Sequence, residues 1–166
     1  MKLSDIDWDT WGPNMRANLV FIHQADRVLL IRKKTGLGQG KINGPGGKLE
    51  AGETPLQAAI REVQEELSIT VLDPVERGEL YFHFLDGLQM YVTVFSATQF
   101  EGTPTESIEA KPHWFDIDKI PFNEMWQDDQ YWLPHMLKGS NFSARFVFDE
   151  EEMLDRDVTL QAATLP

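Results

Sequence analysis

The 166-residue chain contains no cysteine. That absence excludes disulfide staples and thiolate metal sites, and it suits a reducing cytoplasm, where the protein is expected to reside. Positive charge is scarce too. Lys and Arg number 15 against 27 Asp and Glu, for a net charge of −12. No broad basic surface is therefore available for long nucleic acid. Most of this acidity serves solubility. A polyphosphate would be repelled unless metal ions and a few local cations screened it, so phosphate binding is expected to depend strictly on metal. No apolar run reaches membrane-spanning length, and Met1–Thr10 lacks the apolar core of a signal peptide, so no membrane contact is expected. The histidines His23, His83, His113 and His135 show no paired metal-ligand spacing, and no Ser–His–Asp arrangement stands out. The remainder, 42% hydrophobic with 11% aromatic residues, is the composition of a globular protein of one domain.

The most informative segment runs from Gly47 to Ile69, GKLEAGETPLQAAIREVQEELSI. A Gly-rich loop leads into an acidic helix. Thr54 is a good N-cap, Pro55 suits the first helical position, and Gln57 completes a capping-box pattern, so the helix is predicted to run to about Leu67. Glu62, Glu65 and Glu66 lie three and four apart and share a face. Stacked like charges repel. A hard divalent cation reverses the sign of that energy, because Mg²⁺ takes oxygen ligands and bridges carboxylates to phosphates. The plainer alternative is a solvated helix face with an Arg61–Glu65 pair. The Gly46-Gly47 loop and the spacing of Glu53 weigh against it.

This segment resembles the signature of the Nudix hydrolase family: Gly, five residues, Glu, seven residues, then Arg-Glu-apolar-x-Glu-Glu-x-Gly-apolar. Gly47, Glu53, Arg61, Glu62, Val63, Glu65, Glu66 and Ile69 match. Ser68 stands where the family has the Gly that ends the helix. The resemblance implies that Glu62, Glu65 and Glu66 hold a divalent metal, Mg²⁺ with Mn²⁺ as a substitute, and that one of them helps activate the attacking water. It further implies that Arg61 orients these carboxylates, that Glu53 supports them, and that the Gly46 carbonyl is a further ligand. Glu109 falls at a position that contributes to metal and water handling, although a solvated loop acid is the competing description.

The resemblance continues through Gly102–Glu106 and Lys119–Trp132, KIPFNEMWQDDQYW, toward the branch of the family that hydrolyses oxidised purine nucleoside triphosphates. It implies that Trp126 stacks on the base and that Asp128 and Asp129 read it. Two adjacent carboxylates repel, and partial burial leaves one protonated, so the pair offers both a donor and an acceptor. Helix capping by Asp128 or Asp129, with Trp126 as a packing staple, is the structural alternative. Asn43 is implied as a base contact, or else only a turn residue before Gly44. Phe82 and Met90 are expected to face one another on adjacent strands, under the base or simply in the core. Asn18 and Lys33 fall near base and sugar, and Gly46, Gly47 and Lys48 complete the expected substrate-binding set. Ile42 and Leu37 depart from the branch, which has Trp and Phe there, and shrink the aromatic lining.

Along the chain, residues 1–15 are read as a polar leader whose Trp8 and Trp11 dock on something, and residues 16–166 as a single domain. Strands are predicted at Arg16–Ile22, Arg27–Arg32, Ile69–Leu72, Gly78–Phe84, Met90–Ala97, His113–Phe115, Phe142–Phe148 and Val158–Leu160. Gln24-Ala25-Asp26 and Asp86-Gly87 are hairpin turns, and Asp149–Glu152 is a solvated acidic turn. Thr35–Gly47 and Gln99–Lys111 read as loops. A second helix is predicted at Asp128–Leu137, bent or shortened by Pro134. The fold class is α/β, a helix–sheet–helix sandwich around a mixed sheet, and the resemblance makes it the Nudix fold.

The expected activity is metal-dependent pyrophosphohydrolysis of oxidised or modified purine nucleoside triphosphates such as 8-oxo-dGTP, yielding a nucleoside monophosphate and pyrophosphate. Removal of pyrophosphate from RNA 5′-triphosphate ends is a rival that the net charge disfavours. A catalytically silent nucleotide-binding module is another, disfavoured because it has no need of mutually repelling acids. A monomer is expected, with no residue pattern that fixes the oligomeric state.

Overall fold

The computed structural model describes residues 1–161. The main sheet contains β1 (Met15–Gln24), β2 (Arg27–Lys33), β3 (Ile42–Asn43), β4 (Gly46–Lys48), β6 (Val75–Phe84), β7 (Gln89–Ala97), β9 (Ala110–Asp116), β10 (Asn141–Asp149) and β11 (Glu152–Gln161). Its order is β11-β10-β6-β7-β1-β2-β3, with β4 paired to β1 and β9 to β2. The β1–β7 and β10–β6 pairs are parallel and the remaining pairs antiparallel, so the sheet is mixed as expected. A second small sheet joins β5 (Thr70–Leu72) to β8 (Gln99–Glu101).

Two helices cover the main sheet. On β1 and β2, Val20, Ile22, Leu29 and Ile31 pack with Ala59, Val63 and Leu67 of α1 (Pro55–Leu67). The intervening Phe21, Val28 and Leu30 pack with Trp132, Leu133 and Met136 of α2 (Asp129–Leu137). Alternate residues point to opposite faces, so both sets must be apolar and the sequence reads as a run rather than an alternation. Burying each such side chain contributes roughly 1.5–3 kcal/mol before conformational entropy is charged against it.

The cap of α1 forms as predicted. Thr54 Oγ1 accepts from Gln57 N–H at 3.2 Å, and Gln57 Oε1 accepts from Thr54 N–H at 3.0 Å. Ser68 takes the left-handed conformation (φ 59°, ψ 32°) that the family's glycine would adopt, and its N–H donates to the Gln64 carbonyl.

Several boundaries move. The Gly-rich loop carries β3 and β4, the polar loop after Ala97 carries β8 and the start of β9, and the last strand spans ten residues instead of three. In each case cross-strand pairing extends order into polar residues whose local pattern carries no strand signal. Helix α2 continues through Pro134 to Leu137. The leader docks on the chain's own sheet. Trp11 Nε1 donates to His83 Nδ1 at 3.2 Å, Leu3 N–H donates to Asp155, and the Arg145 guanidinium lies 4.8 Å from the Trp8 ring centre.

Candidate active site

Close backbone approach builds one end of the site. β4 pairs with β1 at Asn18↔Gly47 and Leu19↔Gly46. A Cβ on residue 46 would stand 2.1 Å from the Asn18 carbonyl oxygen, and one on residue 47 would stand 2.5 Å from Glu62 Oε2. Only glycine lets β4 lie between β1 and α1 in this way. Gly46 N–H then donates to Glu66 Oε1 at 2.8 Å.

The three helix acids do not behave alike. Glu66 is 3% exposed, the Glu62 side chain 14% and the Glu65 side chain 52%. At about 100° per residue, Glu66 stands about 40° to one side of Glu62 and Glu65 about 60° to the other, so Glu65 and Glu66 diverge. Burial pushes the Glu66 carboxyl up to about 8, opposed by the Gly46 bond and reinforced by Glu62 and Glu109. Burial also raises Glu62, against the pull of Arg61.

Arg61 gathers the rest. Its guanidinium makes two 2.7 Å contacts to Glu53, one of 2.8 Å to Glu62 and one of 3.1 Å to Glu65, and it donates to the Lys48 carbonyl. This contact with Arg61 holds Glu53 down at about 2. Glu53, Arg61 and Glu65 therefore stand outside the cavity that Glu62, Glu66 and the exposed Glu109 line. Among the described residues no three His, Asp or Glu side chains close into a metal-holding cluster. Glu62 and Glu65 turn to Arg61 and Glu66 to the Gly46 amide, as mutually repelling carboxylates do when other donors are in reach. The donor chemistry nevertheless fits a hard divalent cation: Glu62, Glu66 and Glu109 line one cavity, and the charge of Glu109 helps raise the carboxyls of Glu62 and Glu66.

The cavity, of about 430 Å³, runs from these acids to the segment before α2. Its middle is apolar: Leu80, Phe82, Phe84, Leu88, Met90 and Val92. Phe82 and Met90 are register partners. Trp126, Asp128, Asp129 and Asn18 also line the cavity, with Asn43, Lys33, Gly46, Gly47 and Lys48.

Asp128 and Asp129 are 1% and 2% exposed. The Asp128 side chain caps nothing, and its Oδ2 accepts from Trp132 Nε1 at 2.9 Å, so capping is not its role. Burial raises both carboxyls, and the charge and hydrogen bond of Asp128 raise Asp129 further, so the pair holds a proton more firmly than free carboxyls do. Asn18 Oδ1 and Nδ2, Asp128 Oδ1 and Asp129 Oδ2 are buried with no protein partner. Each such atom costs about 1–3 kcal/mol, so four beside one cavity call for a polar ligand. The Asn43 side-chain oxygen accepts Gly44 N–H at 2.8 Å, so its turn role is present alongside its place on the wall.

Of the two departures, Leu37 lies on the cavity rim while Ile42 is buried in the core. Sequence reasoning missed Leu80 and Phe84, which the period-two rule places on the same face as Phe82. It also missed Lys41, whose Nζ lies 5.4 Å from the Trp126 ring centre. No sequence signal marks that lysine.

A NUDIX domain model matches residues 13–136. The chain is 47% identical over 137 residues to the oxidized purine nucleoside triphosphate hydrolase of Danio rerio, covering 82% of this chain and 88% of that one. It is 42% identical, with the same coverage, to the protein of that name from Mus musculus. The crystal structure of a mutator MutT protein from Bacillus halodurans superposes with a TM-score of 0.78 at 29% identity, covering 87% of this chain and 97% of that one. With the signature residues gathered around β4 and α1 and two thirds or more of the chain matched, this protein belongs to the Nudix hydrolases.

Proposed function

We propose that this enzyme hydrolyses oxidised purine nucleoside triphosphates such as 8-oxo-dGTP to the nucleoside monophosphate and pyrophosphate, with Mg²⁺, or Mn²⁺ in its place, as cofactor. The observation that carries the reading is one cavity lined both by the carboxylates of α1, with Glu66 raised by burial, and by residues carrying four unpartnered buried polar atoms. The names of the zebrafish and mouse relatives support the same substrate class.

Glu62, Glu66, Glu109 and the Gly46 carbonyl would hold the cation, with Glu65 joining them on leaving Arg61. When bound, the cation supplies charge neutralisation for the phosphate chain and a more acidic water. Arg61, itself locked by Glu53, aims Glu62 into the cavity. The carboxylates lining it accept the proton that the attacking water loses as its oxygen bonds phosphorus and the phosphoanhydride P–O bond between the nucleoside monophosphate and pyrophosphate breaks, its electron pair leaving on the bridging oxygen. Lys48 and Lys33 offset the negative charge of the phosphates. At the base end, neutral Asp129 donates to a purine carbonyl or ring nitrogen, while ionised Asp128 accepts from ring and exocyclic N–H groups. Asn18 and Asn43 add contacts, Trp126 stacks on the ring, and Phe82 and Met90 floor it. The described residues from Met15 on act as one domain, with the leader before β1 strapped on its outside.

The test is pyrophosphate release with Mg²⁺ across oxidised and normal purine nucleoside triphosphates and triphosphorylated RNA. Oxidised purines should be the best substrates, and EDTA should abolish turnover. Glu65→Gln and Glu66→Gln should each lower it by orders of magnitude while the fold persists. Unchanged release from both variants would remove these acids from the mechanism.

A further inference from the structure

Lys41 belongs to the β2–β3 connection and does not line the cavity. Its side chain is nonetheless only 22% exposed, an unusual degree of burial for a loop lysine. Two contacts hold it. Nζ is 3.5 Å from Glu151 Oε1 in the turn between β10 and β11, and 5.4 Å from the centre of the Trp126 ring. Trp126 does line the cavity, so Lys41 reaches the site only through the indole or through its own field.

The indole has other neighbours as well. Phe84 and Phe148 pack against it in T-shaped contacts, at 6.1 and 5.6 Å between ring centres. Gly38 of the same β2–β3 connection lies beside its polar edge, where an added Cβ would come within 2.8 Å of Nε1. A cation over the face opposes tilting of the ring, because attraction to it falls as the face turns away.

We propose that Lys41 is a specificity-determining positioning residue: clamped between Glu151 and Trp126, it fixes the plane on which the purine stacks and puts a positive charge against that stacking surface. The inference rests on the nucleotide reading of the cavity. A polarised indole stacks more strongly on an electron-rich ring, which favours oxidised guanine over adenine. The field of Lys41 also reaches Asp129 and favours its ionised form, so one lysine biases both parts of the base end. Glu151 only anchors it: that carboxylate is two-thirds exposed, and an exposed ion pair contributes little by itself.

The experiment compares Lys41→Met, Lys41→Arg and Glu151→Gln, and repeats Lys41→Met in a Trp126→Phe background. With 8-oxo-dGTP and Mg²⁺, Lys41→Met should raise KM roughly threefold to tenfold with kcat within about twofold, the range expected for losing a cation over an aromatic face. Lys41→Arg should restore KM, Glu151→Gln should have the smaller effect, and the rise for dATP should be less than for 8-oxo-dGTP. In the Trp126→Phe background Lys41→Met should add little. An undiminished KM effect there would show that Lys41 does not act through the indole. A second readout needs no substrate. In ¹⁵N-labelled free protein, the heteronuclear NOE of the Trp126 indole N–H should fall in Lys41→Met and recover in Lys41→Arg. An indole as rigid in Lys41→Met as in wild type overturns the proposal. Absence of wild-type turnover would sink the substrate reading instead, and the indole signal would then judge Lys41 alone.

Discussion

Asp128 and Asp129 are adjacent carboxylates with different duties, and the difference comes from their partners. Trp132 donates to Asp128 and lowers its carboxyl against the effect of burial, while the neighbouring Asp128 raises Asp129 further. Asp128→Asn and Asp129→Asn keep the shape and change the donor–acceptor pattern. Each should lower kcat/KM by about tenfold to a hundredfold, about 1–3 kcal/mol, and unequally across oxidised guanine, oxidised adenine and normal purines. Wild-type rates and ranking in both variants would mean that the pair does not read the base. Glu66 carries a prediction about pH. Its carboxyl lies at about 8 in the folded protein against 4.5 ordinarily, so between these values the folded chain holds a proton that the unfolded chain has released. Stability of metal-free protein is therefore full below pH 4.5 and falls as pH rises through 8, by at most about 4–5 kcal/mol from this group. Glu66→Gln keeps an acceptor for Gly46 N–H and removes the titration, so its stability should equal or exceed wild type at neutral pH and exceed it most near pH 9. Urea titrations of EDTA-treated protein at pH 5, 7 and 9 measure this, and parallel profiles for the two proteins would refute it.

At the scale of elements, α1 and β4 form one device. The helix begins at a capping box and ends at Ser68, whose left-handed backbone is costly for a residue with a Cβ. Ser68 is exposed, and replacing it by glycine relieves that cost, partly offset by the greater freedom of glycine in the unfolded chain. Ser68→Gly should raise stability by about 0.5–1 kcal/mol, seen as an upward shift of a few degrees in Tm, with turnover unchanged. A lower Tm would show that the serine hydroxyl supports the helix exit. Between those ends, helical geometry separates the acids: Glu66 bonds the Gly46 amide, Glu62 lies between the Gly47 backbone and Arg61, and Glu65 stands outside with Arg61.

Over the whole molecule, the sheet divides the work between its faces. Leu80, Phe82 and Phe84 of β6 face the cavity and the α2 core, while Tyr81 and His83 face the leader. The leader therefore buttresses the scaffold from the side opposite the base. Trp8→Ala combined with Trp11→Ala should cost about 1–3 kcal/mol of stability, through lost aromatic and cation–π contacts. KM for 8-oxo-dGTP should stay at the wild-type value. A changed KM at a temperature where the variant is fully folded would give the leader a part in the site.

The α1 helix, both ends of its capping box, the β1–β2 hairpin and the acid spacing were legible in the sequence, because each depends on neighbours within a few residues. The signature from Gly47 to Ile69 is local in the same sense, and so it pointed to phosphate chemistry before any fold was known. Tertiary structure decided what depends on distant partners. β4 is a strand only because β1 lies beside it, and the leader's target is a sheet face assembled from β6 and β10. Asn18 of β1 and the pair before α2 become one recognition surface only when the sheet places them around a common cavity. Burial, which no local pattern reports, left their polar atoms unpaired, raised Glu66 to about 8 and put Lys41 against Trp126. The residue types set which chemistry was available, and desolvation inside the fold set which of those residues would carry it.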